Sequence, residues 1–393
     1  MSSDAALEVS VVIPCLNESE TLESVIRKAL GCIAENNLAA EVVIADNGST
    51  DGSQEIAERL GARVVPVAEK GYGNALRGGI AAAKGRFIVM GDADDSYDFS
   101  AFFPFIERLR NGADLVMGSR LRGKIMPGAM PWKNHYIGNP IQTMIGRMMF
   151  RCPISDFNCG LRAFTREAFE KMQLVTPTWE FASEMVIKAA LKGLRIEEVP
   201  ITLYKDGRSH PPHLQPWRAG WRNIRFMLLY SPRWLFLLPG LTLLLFGLLG
   251  FGLILPGPFR MFGAVFDVTS LVISGTSLTV GMQVLSLGLL ARAYAASAGL
   301  LPGKASITWF SKRLGLEIWL VAGLILALFG VVLVLIGFDR WYNRGFGPMS
   351  YGTIMRLIIP ASTMIAIGLQ AASTGFFLGL LQVKRPGSAN DVT

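Results

Sequence analysis

Residues 92–95 read Asp-Ala-Asp-Asp, three carboxylates within four residues, directly after the apolar run Phe87–Met90 and Gly91. Like charges this close repel one another unless a cation or hydrogen-bond donors compensate. The chemistry that suits them is the departure of a phosphorylated leaving group. A hard divalent ion held by one or two carboxylates stabilises the charge that develops on a diphosphate. Mg²⁺ completes its shell with phosphate oxygens and waters, and Mn²⁺ also suits oxygen ligands. Asp94 is the first choice of ligand, with Asp92 facing either a ribose or the surroundings of the metal. Asp95 reads as a further participant, a helix cap or a structural charge.

Two more polar segments follow apolar runs in the same way. Pro14-Cys15-Leu16-Asn17-Glu18 follows Val9–Ile13, and Asp46-Asn47-Gly48-Ser49-Thr50-Asp51 follows Glu41–Ala45. Turn and cap chemistry explains any one of these segments, and capping alone is a competing reading for Asn17 to Thr21 and Ser49 to Asp51. Arg63–Val67 and Leu115–Gly118 read as further strands, while residues 20–34, 52–60, 73–84 and 100–111 read as helices. This alternation predicts a mainly parallel sheet covered by helices on both faces. Ligands of such sheets bind beyond the C-terminal strand ends, where the polar segments fall. Gly71-Tyr72-Gly73-Asn74 with Gly78-Gly79 lacks the third glycine of a dinucleotide loop and does not directly follow a strand. It reads as a tight helix entry that brings Lys70 near phosphates.

The rest of the chain is written for a different solvent. Charged residues thin out beyond about Arg233, and 51% of all 393 residues are hydrophobic. Residues 234–255, 268–291, 316–337 and 356–381 are each long and apolar enough to cross a bilayer. Arg218, Arg222, Arg225 and Arg233 precede the first span, Arg292, Lys304, Lys312 and Arg313 separate the second and third, and Lys384 and Arg385 follow the fourth. The opposite loops carry only Arg260, Arg340 and Arg344, which predicts a multi-pass inner-membrane protein with both termini cytoplasmic. Trp217, Trp221, Ile224 and Leu228 recur at helical spacing beside Arg218, Arg222 and Arg225. That pattern fits a helix in the membrane interface or one packed on the soluble domain. The net charge of +8 lies largely beside these apolar segments, so it points to a membrane surface and not to nucleic acid. No signal peptide is expected, and Cys15, Cys32, Cys152 and Cys159 lack the close spacing of zinc or redox pairs. The expected organisation is a soluble domain over 1–210, a juxtamembrane helix over 211–233 and a four-span domain over 234–393.

At its acidic motifs the chain resembles the family 2 glycosyltransferases of the GT-A fold, and with its spans it is similar to membrane-bound polyprenyl-phosphate and dolichyl-phosphate hexosyltransferases. The resemblance covers about residues 9–230 and implies a Rossmann-like, mainly parallel α/β catalytic domain followed by an all-α transmembrane domain. It places Pro14, Leu16 and Glu18 on the nucleotide, Asp46 on the base, Lys70, Asp92 and Ala93 on the nucleotide or its phosphates, and Asp94 on the metal. Arg120, in Gly118-Ser119-Arg120, corresponds to an arginine near the sugar and acceptor phosphate, and Asp156 to an acidic active-site loop. Two positions depart from the dolichyl-phosphate mannose synthases. Ser96 stands where those enzymes usually have a glutamine ligand, and Lys205-Asp206-Gly207-Arg208 replaces their Arg and Lys pair.

The resemblance implies inverting hexose transfer from a nucleotide sugar to a polyprenyl phosphate. Such an acceptor is already an anion at neutral pH and needs no strong base, so the site must position two phosphates and cancel their repulsion. Arg120, Lys205 and Arg208 suit that task. A hydroxyl acceptor on a glycolipid or polysaccharide would instead need a base, for which Asp156 leads unless it is a structural partner of Arg162. Glu180 and Glu184, four apart, are a rival acidic pair or a salt-bridged surface. Gln215-Pro216-Trp217-Arg218-Ala219 stops short of the Gln-x-x-Arg-Trp pattern of processive synthases. An inactive soluble domain on a lipid-linked sugar transporter is a third reading. The hexose, the choice of UDP or GDP, and the oligomeric state, a homo-oligomer included, stay open.

Overall fold

The computed structural model describes residues 7–209, 216–297 and 316–382. Gln215 and His210 lie outside the described residues, as do the side chains of Trp217 and Arg218. The chain forms two compact units, Met1–Leu229 and Tyr230–Thr393.

The first unit is built on seven strands: β1 (Val9–Cys15), β2 (Ala40–Asp46), β3 (Arg63–Pro66), β4 (Phe87–Met90), β5 (Leu115–Ile125), β6 (Arg162–Thr165) and β7 (Ile196–Leu203). They lie in the order β3-β2-β1-β4-β6-β5-β7, and every neighbouring pair is parallel except those made by β6, which runs antiparallel to β4 and β5. All seven residues of β1 are buried, which is why it reads as a continuous apolar run instead of an alternating one. Helix α1 (Leu22–Glu35) buries Leu22, Val25, Ile26, Ala29 and Cys32, a stripe of helical period that joins the core with Phe99, Phe102 and Phe105. Then come α2 (Ser53–Arg59), α3 (Tyr72–Ala82), α4 (Phe103–Arg110), α5 (Asn139–Phe150), α6 (Arg166–Met172), α7 (Glu180–Leu191) and α8 (Pro216–Leu229).

The five expected strands and four expected helices are present. Strand β5 runs seven residues further than its apolar stretch, to Ile125, and its pairing with β7 shifts register between Ser119 and Lys124. Helix α5 and the turn before it carry Trp132, Tyr136, Ile137, Ile141, Met144 and Met148, an exposed apolar face on this unit. On α8, Arg222 pairs with Glu180 at 2.7 Å and Asn223 accepts from Ser183 Oγ at 2.5 Å, so both take the packing role, while Trp221 and Arg225 stay exposed.

The second unit holds α9 (Leu238–Ile254), entered through a wider turn at Arg233–Leu237, a hairpin of β8 (Phe259–Met261) and β9 (Ala264–Phe266), then α10 (Val268–Ser297), α11 (Leu316–Tyr342) and α12 (Tyr351–Gln382). Among the described residues these four helices are long and apolar enough to cross a membrane. Glycines set the close approaches. A Cβ on Gly323 would lie 2.5 Å from Gly368 O on the facing helix, and the converse distance is the same. Arg356, inside α12, donates to Ile254 O at 2.9 Å and pairs with Asp267, which ties the starts of α10 and α12 to the end of α9.

Candidate active site

Cys15 and Asp46 end β1 and β2 as register partners, so the loops that follow leave the same edge of the sheet. The loops clasp each other. Asn17, at φ 57°, donates its N–H to Ser49 Oγ at 3.0 Å and accepts Thr50 N at 2.9 Å. Asp51 accepts Ser19 N at 2.9 Å and also Ser53 N, at the first residue of α2. These polar residues brace one loop on the other, which simple helix capping does not require. Asp46 is buried and accepts from Gly48 N, Ser49 N and Gln54 Nε2, so its carboxylate shapes the loop from beneath. Lys70 reaches back to donate to Asn47 O. Gly48, at φ +89°, leaves room for it, since a Cβ there would lie 2.3 Å from Lys70 Nζ. Pro14 and Ala93 are buried and Leu16 is exposed.

Asp92 and Asp94 follow β4 at the same edge. Asp92 Oδ1 accepts from Tyr72 Oη at 2.9 Å, and Gly160 packs so closely that a Cβ there would come within 2.7 Å of Oδ2. Burial, and next the negative charge of Asp94, push the Asp92 carboxyl up to about 7. Asp94 Oδ1 accepts from Ser96 N at 3.1 Å and Ser96 Oγ at 2.6 Å, so Ser96 orients Asp94. Asp94 Oδ2 meets Arg208 Nη2 at 3.1 Å. The same guanidinium pairs with Glu18 Oε1 at 3.1 Å and Asp206 Oδ2 at 2.6 Å. Among the described residues Glu18 Oε2 is buried without a hydrogen-bond partner, and burial raises the Glu18 carboxyl against the pull of Arg208. Backbone bonds from Tyr204 N to Ser96 O and from Gly207 N to Asp94 O, at 2.9 and 3.0 Å, fasten the Arg208 segment over this cluster. Asp95 turns away to Ser24 Oγ and Lys28 Nζ as a structural charge, and Lys205 is exposed.

A second group lies where β5 meets the 155–160 loop. Asp156 is fully buried, and Arg120 donates to it from Nε at 2.6 Å, Nη2 at 2.8 Å and its backbone N at 3.1 Å. Arg162, the partner considered from sequence, instead turns inward to the carbonyls of Cys159, Ala182 and Phe157. The reason is position: Arg162 is a wholly buried residue of β6, whereas Arg120 lies beside the loop that carries Asp156. Glu180 and Glu184 do not act together. Glu184 is buried with Lys188 at 2.7 Å and accepts from Val175 N and Thr176 N, while Glu180 holds Arg222.

Residues 10–173 match the family model for glycosyl transferase family 2, and residues 289–382 match that for the glycosyltransferase family 2 C-terminal transmembrane region. The low-salt glycan biosynthesis hexosyltransferase Agl6 of Haloferax volcanii is 35% identical over 382 residues, 96% of this chain and 90% of that one. This chain belongs to glycosyltransferase family 2. A dolichyl-phosphate hexose transferase of the same organism is 31% identical over 215 residues, 54% of this chain and 89% of its own. Among solved structures, glucosyl-3-phosphoglycerate synthase from Mycobacterium tuberculosis, in complex with Mn²⁺, UDP and glucosyl-3-phosphoglycerate, is 26% identical over 57% of this chain and 80% of that one, with a TM-score of 0.45.

In this glycosyltransferase, Glu18, Asp94 and Asp206 share the guanidinium of Arg208, and Asp92 lies within the field of Asp94 and of Arg208. A divalent cation fits there: among the described residues the buried Glu18 Oε2 has no hydrogen-bond partner, and Asp92 and Asp94 lie close enough for the charge of one to raise the carboxyl of the other. Among the described residues no group of three or more His, Cys, Asp or Glu side chains is arranged to hold a metal alone, so a bound cation would take further ligands from phosphate and water. Neither Tyr72 nor Asp206 stands out in the sequence as a site residue. The available signals were an aromatic inside the glycine-rich helix entry and an acid between two cations.

The Asp92 environment predicts a pH effect in the ligand-free enzyme. Its folded pKa of about 7 exceeds the ordinary value near 3.9, so its contribution to stability is present below about pH 4 and is lost as pH rises through 7. Asp92→Asn escapes that loss. Because Asp92 keeps part of its surface exposed, the advantage of the variant is expected to open between pH 4 and 7 and level off at roughly 1–2 kcal/mol. All four cysteines are buried in the first unit, so thiol exposure on heating reports its melting. Parallel melting curves across that pH range would count against the raised carboxyl.

Proposed function

We propose that the enzyme transfers one hexose from a UDP- or GDP-linked sugar to a membrane polyprenyl phosphate, with inversion, using Mg²⁺ or Mn²⁺ held by Asp94 with Asp92 in support. The observation that carries this reading is the convergence of Glu18, Asp94 and Asp206 on Arg208. It is a mixed-charge site at the strand ends that holds its own counter-ion until ligands arrive. The relatives named for hexosyl and dolichyl-phosphate hexose transfer add support. A bound divalent cation would neutralise charge on the departing diphosphate. Asp94 is kept in orientation by Ser96, and Asp92 by Tyr72. Arg208, now on Asp94, turns to phosphate oxygens, and Lys70 meets the nucleotide at the rim of the 46–51 loop.

A phosphate acceptor is favoured because Asp156 is poorly placed as a base. Arg120 binds both of its oxygens and still has Nη1 donors for a phosphate. Lys205 is exposed and would supply a further cation for the acceptor. The apolar face of α5 supports work at a bilayer surface, and the Lys and Arg distribution supports a cytoplasmic site, with Arg356 on the sparse side neutralised by Asp267.

The test is full-length enzyme in lipid nanodiscs with Mg²⁺ or Mn²⁺, a panel of UDP- and GDP-hexoses, and polyprenyl phosphate. Nucleotide release that needs both metal and lipid phosphate, with a product cleaved by mild acid, is the expected result. An acid-stable product would move the acceptor to a hydroxyl, and no release from any donor would overturn the proposal.

A further inference from the structure

Trp179 is 40% exposed, yet its ring is stacked on Tyr72, with centroids 4.5 Å apart and planes inclined by 19°. Tyr72 in turn donates its hydroxyl to Asp92 at 2.9 Å. A large aromatic surface is thus kept open to solvent one phenol away from the acid at the centre of the site. Its position is fixed by backbone as well as side chains. Gly73 N and Asn74 N both donate to Pro177 O, at 2.9 and 3.2 Å, and a Cβ on Gly73 would lie 2.2 Å from Thr176 O. On the other side, Glu180 accepts from Thr178 Oγ1 and pairs with Arg222 on α8. The start of α3 and the 176–180 segment therefore lock together, and the stack on Tyr72 holds the indole in place.

We infer that Trp179, backed by Tyr72, is the platform on which the sugar ring of the donor stacks, and that it is a specificity-determining residue of this enzyme. The inference rests on the proposed nucleotide-sugar chemistry. A pyranose presents one face of C–H groups, slightly positive and apolar, and a rim of hydroxyls. The π-face of an indole is negative and apolar, so the two surfaces match in charge and in hydrophobicity. Asp92 touches the platform only through the Tyr72 hydroxyl, which holds the stacked pair in place. An exposed aromatic face selects for an object with an apolar face and polar edges, which a hexose has and a bare phosphate lacks. A nucleobase also has a π-face, so it is the competing occupant.

The experiment compares full-length wild type, Trp179→Phe and Trp179→Ala by calorimetry with Mn²⁺, using UDP and GDP and then UDP-glucose and GDP-mannose as probes. For the sugar nucleotide that wild type prefers, Trp179→Ala is expected to weaken binding about five- to tenfold, with Trp179→Phe closer to wild type. The affinity for the matching bare diphosphate should stay within about twofold. Equal loss of diphosphate and sugar nucleotide would overturn the inference, since it would place a base on the indole or make Trp179 a prop. A wild type that binds each diphosphate as tightly as its sugar-linked form would also overturn it and leave the nucleotide reading standing. Failure of wild type to bind any diphosphate would sink that underlying reading and this one with it.

Discussion

Asp94→Asn is expected to lower turnover by a factor on the order of 10²–10³ or more while leaving the protein inserted in the membrane and folded. The substitution is nearly isosteric. An asparagine carbonyl still accepts from Ser96 N and Ser96 Oγ, so the turn after β4 keeps its hydrogen bonds. What disappears is the negative charge. The new amide N–H groups would face Arg208 Nη2, now 3.1 Å from Asp94 Oδ2, and no second full charge would remain beside Asp92 to hold a cation. Asp206 and Glu18 would still retain Arg208, so collapse of the site is not expected to explain the loss. Two measurements separate chemistry from folding: nucleotide release in nanodiscs, and the thiol-exposure melting curve of the first unit. Residual turnover above about a tenth of wild type would remove Asp94 from the metal role, because loss of an ion that stabilises the leaving group costs far more.

The sequence makes the parallel part of this fold plain because β1, β2 and β4 are buried on both faces and each runs into a polar loop. Strand β6 escapes detection for the opposite reason. It is four residues long, starts with Arg162, and is ordered by its antiparallel neighbours more than by its own pattern. The membrane helices are legible because each holds a long stretch of high mean hydropathy with few charges. Their ends are not, since Asp267 and Arg356 come together only once α10 and α12 are packed. Within the site, Asp92, Asp94 and Glu18 could be named from strand-end position alone. The partners that set their chemistry come from distant segments: Tyr72 from α3, and Arg208 from a loop 114 residues beyond Asp94. Spacing along the chain carries no information about such pairs. The same limit applies to Asp156, whose role as base or structural acid turns on whether Arg162 or Arg120 reaches it.

That pair gives the largest stability effect. Arg120 and Asp156 are almost wholly removed from solvent, and Asp156 also accepts from Asn158 N at 3.3 Å. Removing one charge strands the other in a medium that solvates it poorly, which costs about 3–5 kcal/mol. Against a total stability of about 5–15 kcal/mol that is a severe loss, and Asp156→Asn is expected to lower the melting temperature of the first unit by roughly 10 °C. The damage should come from the unpaired guanidinium and not from the missing carboxylate itself. The double variant Arg120→Met with Asp156→Leu, which buries two apolar side chains of similar volume, is therefore expected to recover much of the stability that either single change loses. Activity should not return with it if Arg120 Nη1 meets the acceptor phosphate. A stable, active double variant would show that the pair only props the loop, whereas Asp156→Asn melting within about half a kcal/mol of wild type would mean that Arg120 finds another partner.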